Sequence, residues 1–110
     1  MEKIEFLEKN IFTDLKNIND GFDKETIHYF SESDFEIVLK RVEHFGIGIY
    51  KIEPWLNGKF YATSGHDDYK KKATDAKWYT KAFFKFKTRQ AGLSYAASFK
   101  VSKKLLEREL

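Results

Sequence analysis

Apolar residues recur at three- and four-residue spacing at the start of the chain, and this pattern predicts an amphipathic helix over residues 1–18. Glutamate is frequent at the beginning of the segment, where the positive end of a helix dipole favours acidic side chains. The sequence Asn19-Asp20-Gly21 then predicts the end of the helix. The expected apolar stripe consists of Ile4, Leu7, Ile11, Leu15 and Ile18.

A short run of β-branched and aromatic residues at 26–30 predicts the first strand. The sequence Ser33-Asp34-Phe35-Glu36 is a capping box, because its first and last side chains can satisfy each other's free backbone N–H groups. It predicts the start of a second helix, and Gly46 predicts its left-handed end. The core face of this helix is expected to hold Phe35, Val38, Leu39, Val42 and Phe45.

Two more strands are predicted at residues 47–52 and 59–63, on either side of Asn57-Gly58. Asn-Gly is the strongest short-range signal for a two-residue hairpin turn, because both residues tolerate a positive φ. Apolar residues alternate with small or polar ones over residues 93–101. This alternation predicts a last strand with one buried face.

Residues 76–88 fit two patterns, since Trp78, Ala82, Phe84 and Phe86 share the two-residue period of a strand. At 100° per residue, however, most of the apolar side chains fall on one contiguous face of a helix, while Phe84 falls opposite them. Thr74 supplies a possible N-cap. We therefore predict a helix whose apolar face consists of Trp78, Tyr79, Ala82, Phe83 and Phe86.

These elements predict a leading helix, a β-α-β-β-α-β core over residues 26–101, and a short C-terminal helix or tail over residues 102–110. The core order is that of the ferredoxin-like fold, so we expect an α+β ferredoxin-like sandwich preceded by an N-terminal amphipathic helix. A length of 110 residues, with no Pro/Gly/Ser-rich linker, favours a single domain over residues 1–110. Because this fold carries many unrelated functions, it predicts no activity by itself.

Composition narrows the class of protein. The absence of cysteine excludes disulfides, thiolate zinc sites and thiol nucleophiles. No apolar run is long enough to span a bilayer, and the acidic residues among the first apolar ones argue against a secretory signal. We therefore expect a cytoplasmic protein without a transmembrane segment, and no motif calls for a cofactor.

Charge is divided unevenly along the chain. Residues 1–65 hold 8 basic and 12 acidic side chains, whereas residues 66–110 hold 12 basic and 5 acidic ones. A basic half indicates an anionic partner. Of the 20 basic residues only three are arginine. Lysine lacks the planar guanidinium group that forms bidentate hydrogen bonds with a base or a phosphate. We therefore expect an acidic protein as the partner, with nucleic-acid phosphate as the second choice.

The first candidate binding site is the outer face of the third predicted helix, formed by Lys77, Lys81 and Lys85. Phe84 is expected to project from the same face, and an apolar ring among lysines suits an acidic partner. The alternative is that Phe84 packs beneath the N-terminal helix or the C-terminal tail, and that the lysines are merely solvated.

The second candidate is a loop that carries His66, Asp67, Asp68 and Tyr69, whose residue types suit acid–base or ligand chemistry. Its alternative is a hydrated loop in which one of the aspartates caps a helical turn. No metal site is expected, because three consecutive side chains diverge along a backbone and cannot all face one ion. His28 and Trp55 are the side chains most suited to complete a ligand site there.

The third candidate is the outer face of the sheet, where His28 and Phe30 are expected to point away from the helices, with either Tyr61 or Phe60 nearby. Either the N-terminal helix or a second subunit is expected to cover this face, so a homodimer is one hypothesis. The leading functional hypothesis is a small, non-catalytic binding module that uses its lysine-rich helix face. The alternative is a small enzyme or ligand-binding protein that uses residues 66–69 with His28 or Trp55.

Overall fold

The longest strand, β1 (Gly48–Leu56), organises the sheet. β4 (Ser94–Lys100) pairs antiparallel with one edge of β1, and two short segments, β2 (Lys59–Phe60) and β3 (Ser64–Gly65), pair antiparallel with the other edge. The computed structural model describes residues 1–108 and shows over that range an α+β domain with this four-stranded sheet and four α-helices. The helices are α1 (Lys3–Asn10), α2 (Glu32–Phe45), α3 (Ala76–Arg89) and α4 (Lys103–Arg108), and a single 3-10 turn (His66–Tyr69) precedes α3.

The helix predicted at residues 76–88 is confirmed as α3. Its N-cap is Asp75, whose carboxylate accepts the Lys77 N–H at 2.9 Å, so the cap lies one residue later than the predicted Thr74. The two-residue period of Trp78, Ala82, Phe84 and Phe86 therefore does not reflect a strand, and the contiguous apolar face of the helix determines the structure of this segment. The side chains that α3 buries are Trp78, Tyr79, Ala82, Phe83 and Phe86.

Aromatic packing joins α2 and α3 to the inner face of the sheet. The ring of Phe35 on α2 stacks on Tyr95 of β4 at 5.2 Å between centroids, with an angle of 13° between the planes. Phe83 of α3 meets both rings edge-on, at 5.6 Å from Phe35 and 5.0 Å from Tyr95. The two edge-on contacts place the positive edge of one ring against the negative face of another, which stabilises each pair beyond the area that it buries.

α2 and the β1–β2 hairpin form where the sequence predicts them. The N-cap of α2 is Ser31, so the helix begins just before the predicted capping box, and Gly46 ends it at φ 69°. Trp55 faces Phe60 in the hairpin, and the turn residues Asn57 and Gly58 have φ values of 51° and 76°. Because these values lie in the left-handed region, the Asn-Gly turn imposes the twist that the paired strands require.

The leading helix is shorter than the predicted one, since α1 ends at Asn10. The Arg41 guanidinium donates hydrogen bonds to the carbonyl oxygens of Ile11 and Thr13, at 3.0 and 2.7 Å. Asp14 then takes a φ of 64°, which no continuing helix allows. A long-range contact from α2 thus replaces the helical hydrogen bonds that the local pattern predicts.

The ferredoxin-like order is not confirmed. The predicted first strand, residues 26–30, contributes a single bridge between Phe30 and Tyr95 in the described structure. β1 and β4 correspond to the second and fourth predicted strands, and they pair directly with each other. These two strands are not neighbours in a ferredoxin-like sheet, because the first and third strands lie side by side in its centre. The side chain of Asn17 accepts the Tyr29 N–H at 3.0 Å, so a backbone group needed for a strand ladder is bonded to a side chain instead.

The short helix predicted within residues 102–110 is present as α4, and residues 109–110 lie outside the described residues. Across residues 1–108, none of the helices combines the length and the apolar character that crossing a membrane requires.

Candidate functional site

The outer face of α3 carries four cations at four-residue spacing, which we call the basic row: Lys77, Lys81, Lys85 and Arg89. Four residues make slightly more than one helical turn, so these side chains lie one above the other and all four are exposed. Within residues 1–108 none of them forms an ion pair. The row is therefore an uncompensated stripe of positive charge.

Phe84 lies beside the basic row and is 58% exposed. Neither the N-terminal helix nor α4 covers it, so the alternative in which Phe84 is buried does not describe this structure. The Lys87 Nζ lies 6.0 Å from the centroid of the Phe84 ring, so the ring has a cation at its face. It borders a groove of about 260 Å³ between α2 and α3, lined by Glu36, Leu39, Lys40, Glu43, Thr80, Phe83, Phe84 and Lys87.

A second concavity, of about 510 Å³, lies on the other side of the basic row, and we call it the α3–β3 cleft. It brings together residues from two separate predicted sites, since Lys81 and Lys85 face Asp68 and Tyr69 across it. The Lys85 Nζ lies 5.5 Å from the centroid of the Tyr69 ring, which links α3 to the 3-10 turn. The cleft is lined by Thr63, Ser64, Asp68, Tyr69, Lys81, Ala82, Lys85, Phe86 and Arg89.

Local hydrogen bonds fix the 3-10 turn. The Asp68 carboxylate accepts the Gly65 N–H at 2.8 Å and so caps the turn. This is the role that the hydrated-loop alternative gives to one of the two aspartates. The Nδ1 of His66 lies 2.7 Å from the Lys71 carbonyl oxygen, and because a carbonyl only accepts, Nδ1 carries the proton and donates it. These two side chains therefore hold the loop in shape, which is a structural role.

The structure does not bring His66 together with the residues predicted to complete its site. His28 stacks on Phe12 at 4.7 Å between ring centroids, and the indole N–H of Trp55 donates to Glu53 at 2.8 Å. Trp55 packs against the rings of Phe22 and Tyr29. A pocket of about 370 Å³ beside His66 contains neither His28 nor Trp55, being lined by Tyr50, Lys51, Thr63, Gly65, His66, Asp67 and Asp68.

The outer sheet face is arranged differently from the prediction. Phe30 is buried against Phe12, with ring centroids 5.0 Å apart, while Ile27 and Tyr29 lie on the outer face beside Glu53. The predicted faces are thus exchanged. The chain from Phe22 to Tyr29 covers part of this surface, whereas α1 packs elsewhere, with Phe6 edge-on to Phe45.

Zinc, manganese or calcium should leave the melting temperature unchanged. Over the described chain, no group of three or more His, Asp or Glu side chains lies close enough together to hold an ion. Since a ligand stabilises a protein only in proportion to its affinity for the native state, weak binding gives no measurable shift. A thermal scan with each metal at modest excess tests this, and a rise of several degrees that His66→Ala abolishes would contradict it.

Comparison with protein-family models, with curated proteins and with solved structures found no match for this chain. Arg89 was not among the predicted site residues Lys77, Lys81 and Lys85, although the same four-residue spacing continues to it. Ser64 begins the loop of the second candidate site, but the sequence does not indicate that Thr63 and Ser64 face α3, because only the sheet pairing brings them to the cleft.

Proposed function

We propose that this protein is a small, non-catalytic binding module whose α3 face engages an acidic protein. The single observation that carries the proposal is the exposure of the Phe84 ring beside a row of unpaired cations. Large aromatic side chains at the centre of an interface supply much of its binding energy, and the charges around them select the partner. The complementary surface is therefore acidic with at least one apolar side chain.

An acidic protein fits this surface better than nucleic acid does. Three of the four cations in the basic row are lysines, which contact phosphate as point charges and provide no two-pronged base recognition. The groove beside Phe84 has no net positive charge, because Glu36 and Glu43 offset Lys40 and Lys87, and the Glu43 carboxylate repels a continuous polyanion there. A protein partner avoids that repulsion, because its charges are interrupted by neutral and apolar side chains.

The enzyme or ligand-binding alternative would require several functional groups that converge around His66. In its pocket the ring shares the surface with two carboxylates, and its Nδ1 proton is already donated to the Lys71 carbonyl. The geometry at Phe84 and the basic row therefore supports the binding module more strongly.

An acidic peptide that carries one tryptophan should bind the protein more tightly than a matched peptide with alanine in that place. We expect a preference of about fivefold to tenfold, the value of an aromatic pair worth roughly 1 kcal/mol. Phe84→Ala should remove this preference, because the two rings are the groups that contact each other. Fluorescence anisotropy measures the affinity of each labelled peptide for the wild type and for Phe84→Ala, and the four affinities form a double-mutant cycle.

A second pair of variants separates charge from shape. Lys81→Gln/Lys85→Gln should weaken both peptides several-fold, whereas Lys103→Gln/Lys104→Gln makes the same change of charge on α4 and should have little effect. An unchanged tryptophan preference in Phe84→Ala would reject the proposed contact. Tighter binding of duplex DNA than of either peptide would replace the acidic protein with nucleic acid as the partner class.

A further inference from the structure

The α3–β3 cleft concentrates positive charge that the fold leaves uncompensated. Lys81, Lys85 and Arg89 all line it, and like charges at four-residue spacing repel each other along a helix. The single acidic side chain in the lining is Asp68, whose carboxylate accepts the Gly65 N–H at 2.8 Å. The lining therefore has a formal charge of +2, and within residues 1–108 none of its three cations forms an ion pair.

Neutral donors face these cations across the cleft. The Ser64 hydroxyl makes no hydrogen bond within the described residues, and the Thr63 hydroxyl makes only a long one, 3.4 Å from the Ile52 carbonyl oxygen. Burial and the nearby Asp68 raise the pKa of Tyr69, with Arg89 opposing, so the phenol stays protonated and able to donate. The cleft thus offers three cations and up to three hydroxyl groups to a bound anion.

The charge and the donors identify the kind of anion. A phosphomonoester carries a charge of about −1.5 to −2 at neutral pH and three strong acceptor oxygens, which match a site of charge +2 with donors on both walls. A carboxylate or a phosphodiester carries a single charge and leaves one cation uncompensated. The volume of the cleft, about 510 Å³, is also larger than that of a phosphate ion and lies in the range of pockets that hold small organic ligands.

We propose that the α3–β3 cleft binds the phosphate group of a small phosphomonoester. The Arg89 guanidinium donates hydrogen bonds to two phosphate oxygens, and Lys81 and Lys85 neutralise the remaining negative charge. The Ser64 hydroxyl donates a hydrogen bond to the phosphate from the opposite wall. The Tyr69 ring contacts the organic part of the ligand. This site shares Lys81, Lys85 and Arg89 with the basic row, and it differs from the protein-binding face because it adds Ser64 and Tyr69 and does not use Phe84.

Phenyl phosphate is the probe, titrated by calorimetry into the intact chain at pH 8 and at pH 5. We expect binding at pH 8 and weaker binding at pH 5, since the second phosphate proton has a pKa of about 6. Arg89→Gln should weaken binding at pH 8 by about tenfold or more, because it removes charged hydrogen bonds. Lys87→Gln, an equal change of charge on the flank of α3 that faces away from the cleft, should change affinity by less than about twofold.

Amide NMR spectra locate the site, and the shifted signals should cluster at residues 63–69 and 81–89. Ser64→Ala should weaken binding with no change in melting temperature, which separates a lost donor from a fold defect. The proposal is wrong if phenyl phosphate does not bind at millimolar concentration, if benzoate or diphenyl phosphate binds equally well, or if Arg89→Gln and Lys87→Gln weaken binding equally. The double-mutant cycle between Phe84 and the peptide tryptophan is also measured in the Arg89→Gln background. The tryptophan preference should persist there, so the failure of one proposal can be distinguished from the failure of the other.

Discussion

Phe86→Ala should lower the free energy of unfolding by about 3–5 kcal/mol, the cost of emptying a phenyl-sized site in a packed core. The Phe86 side chain is 4% exposed and belongs to the core cluster that joins α3 to the sheet. It also lies beneath the α3–β3 cleft, so its loss weakens the support of that cleft. Urea denaturation monitored by circular dichroism measures the change.

Lys81→Ala is the matched control on the same helix. Its side chain is exposed and forms no ion pair within residues 1–108, so the free energy of unfolding should change by less than about 0.5 kcal/mol. The two variants differ in which face of α3 they alter. Equal shifts of the urea midpoint would show that the two faces of α3 are wrongly assigned.

Local patterns were sufficient for the elements whose stability is local. α3 was predictable because five apolar side chains fall within one arc of a helix, and the β1–β2 hairpin because Asn57 and Gly58 accept positive φ. α2 was predictable from its apolar spacing and from Gly46 at its end. In each case the residues that determine the element lie within or beside it.

The misassigned elements depend on contacts that are distant in sequence. Arg41 ends the N-terminal helix by bonding two carbonyl oxygens some 30 positions earlier, and no pattern within residues 1–18 contains that information. Asn17 likewise accepts the backbone N–H of Tyr29, which is 12 positions later, and this N–H is therefore not available to a strand ladder. The pairing of β1 with β4 joins two segments that α3 separates in the chain, so the strand order could not be read from alternation within either segment.

The candidate site divides in the same way. The lysine face and the exposed position of Phe84 follow from helical angles, which the sequence contains. The α3–β3 cleft depends on β3 pairing with β1, which carries Ser64 and the 3-10 turn to the side of α3. Both walls of the cleft can therefore be recognised in the sequence as separate candidates, Lys81 and Lys85 on one wall and Asp68 and Tyr69 on the other, but the sequence does not indicate that they face each other.

The protein should lose stability steeply between pH 10 and pH 12, because its buried tyrosines resist ionisation. Burial, with Glu43 and Asp75 nearby, raises the pKa of Tyr79 to about 12. Burial also raises the pKa of Tyr95, and burial with the hydrogen bond to Asp23 raises that of Tyr29. An unfolded tyrosine ionises near pH 10, so above that pH the unfolded state releases protons that the native state retains.

The sign and size of the effect follow from this difference in bound protons. Below pH 10 both states are protonated and the contribution of each tyrosine to stability is fully present. Above it, each retained proton lowers the free energy of unfolding by about 1.4 kcal/mol per pH unit, and three such tyrosines by about 4 kcal/mol per unit. Domains of this size are stable by roughly 5–15 kcal/mol, so we expect cooperative unfolding by about pH 12.

Tyr95→Phe tests the mechanism, because its ring is fully buried and its hydroxyl has no hydrogen-bond partner within the described residues. Removing an unsatisfied polar group should leave stability at pH 8 unchanged or raise it by about 1 kcal/mol. Between pH 10 and pH 12 the variant should lose stability less steeply than the wild type, by about 1.4 kcal/mol per pH unit. Urea denaturation at pH 8, 10 and 11 gives these slopes. An unchanged slope in Tyr95→Phe, or tyrosinate absorbance from all buried rings before unfolding, would show that these tyrosines do not control the alkaline transition.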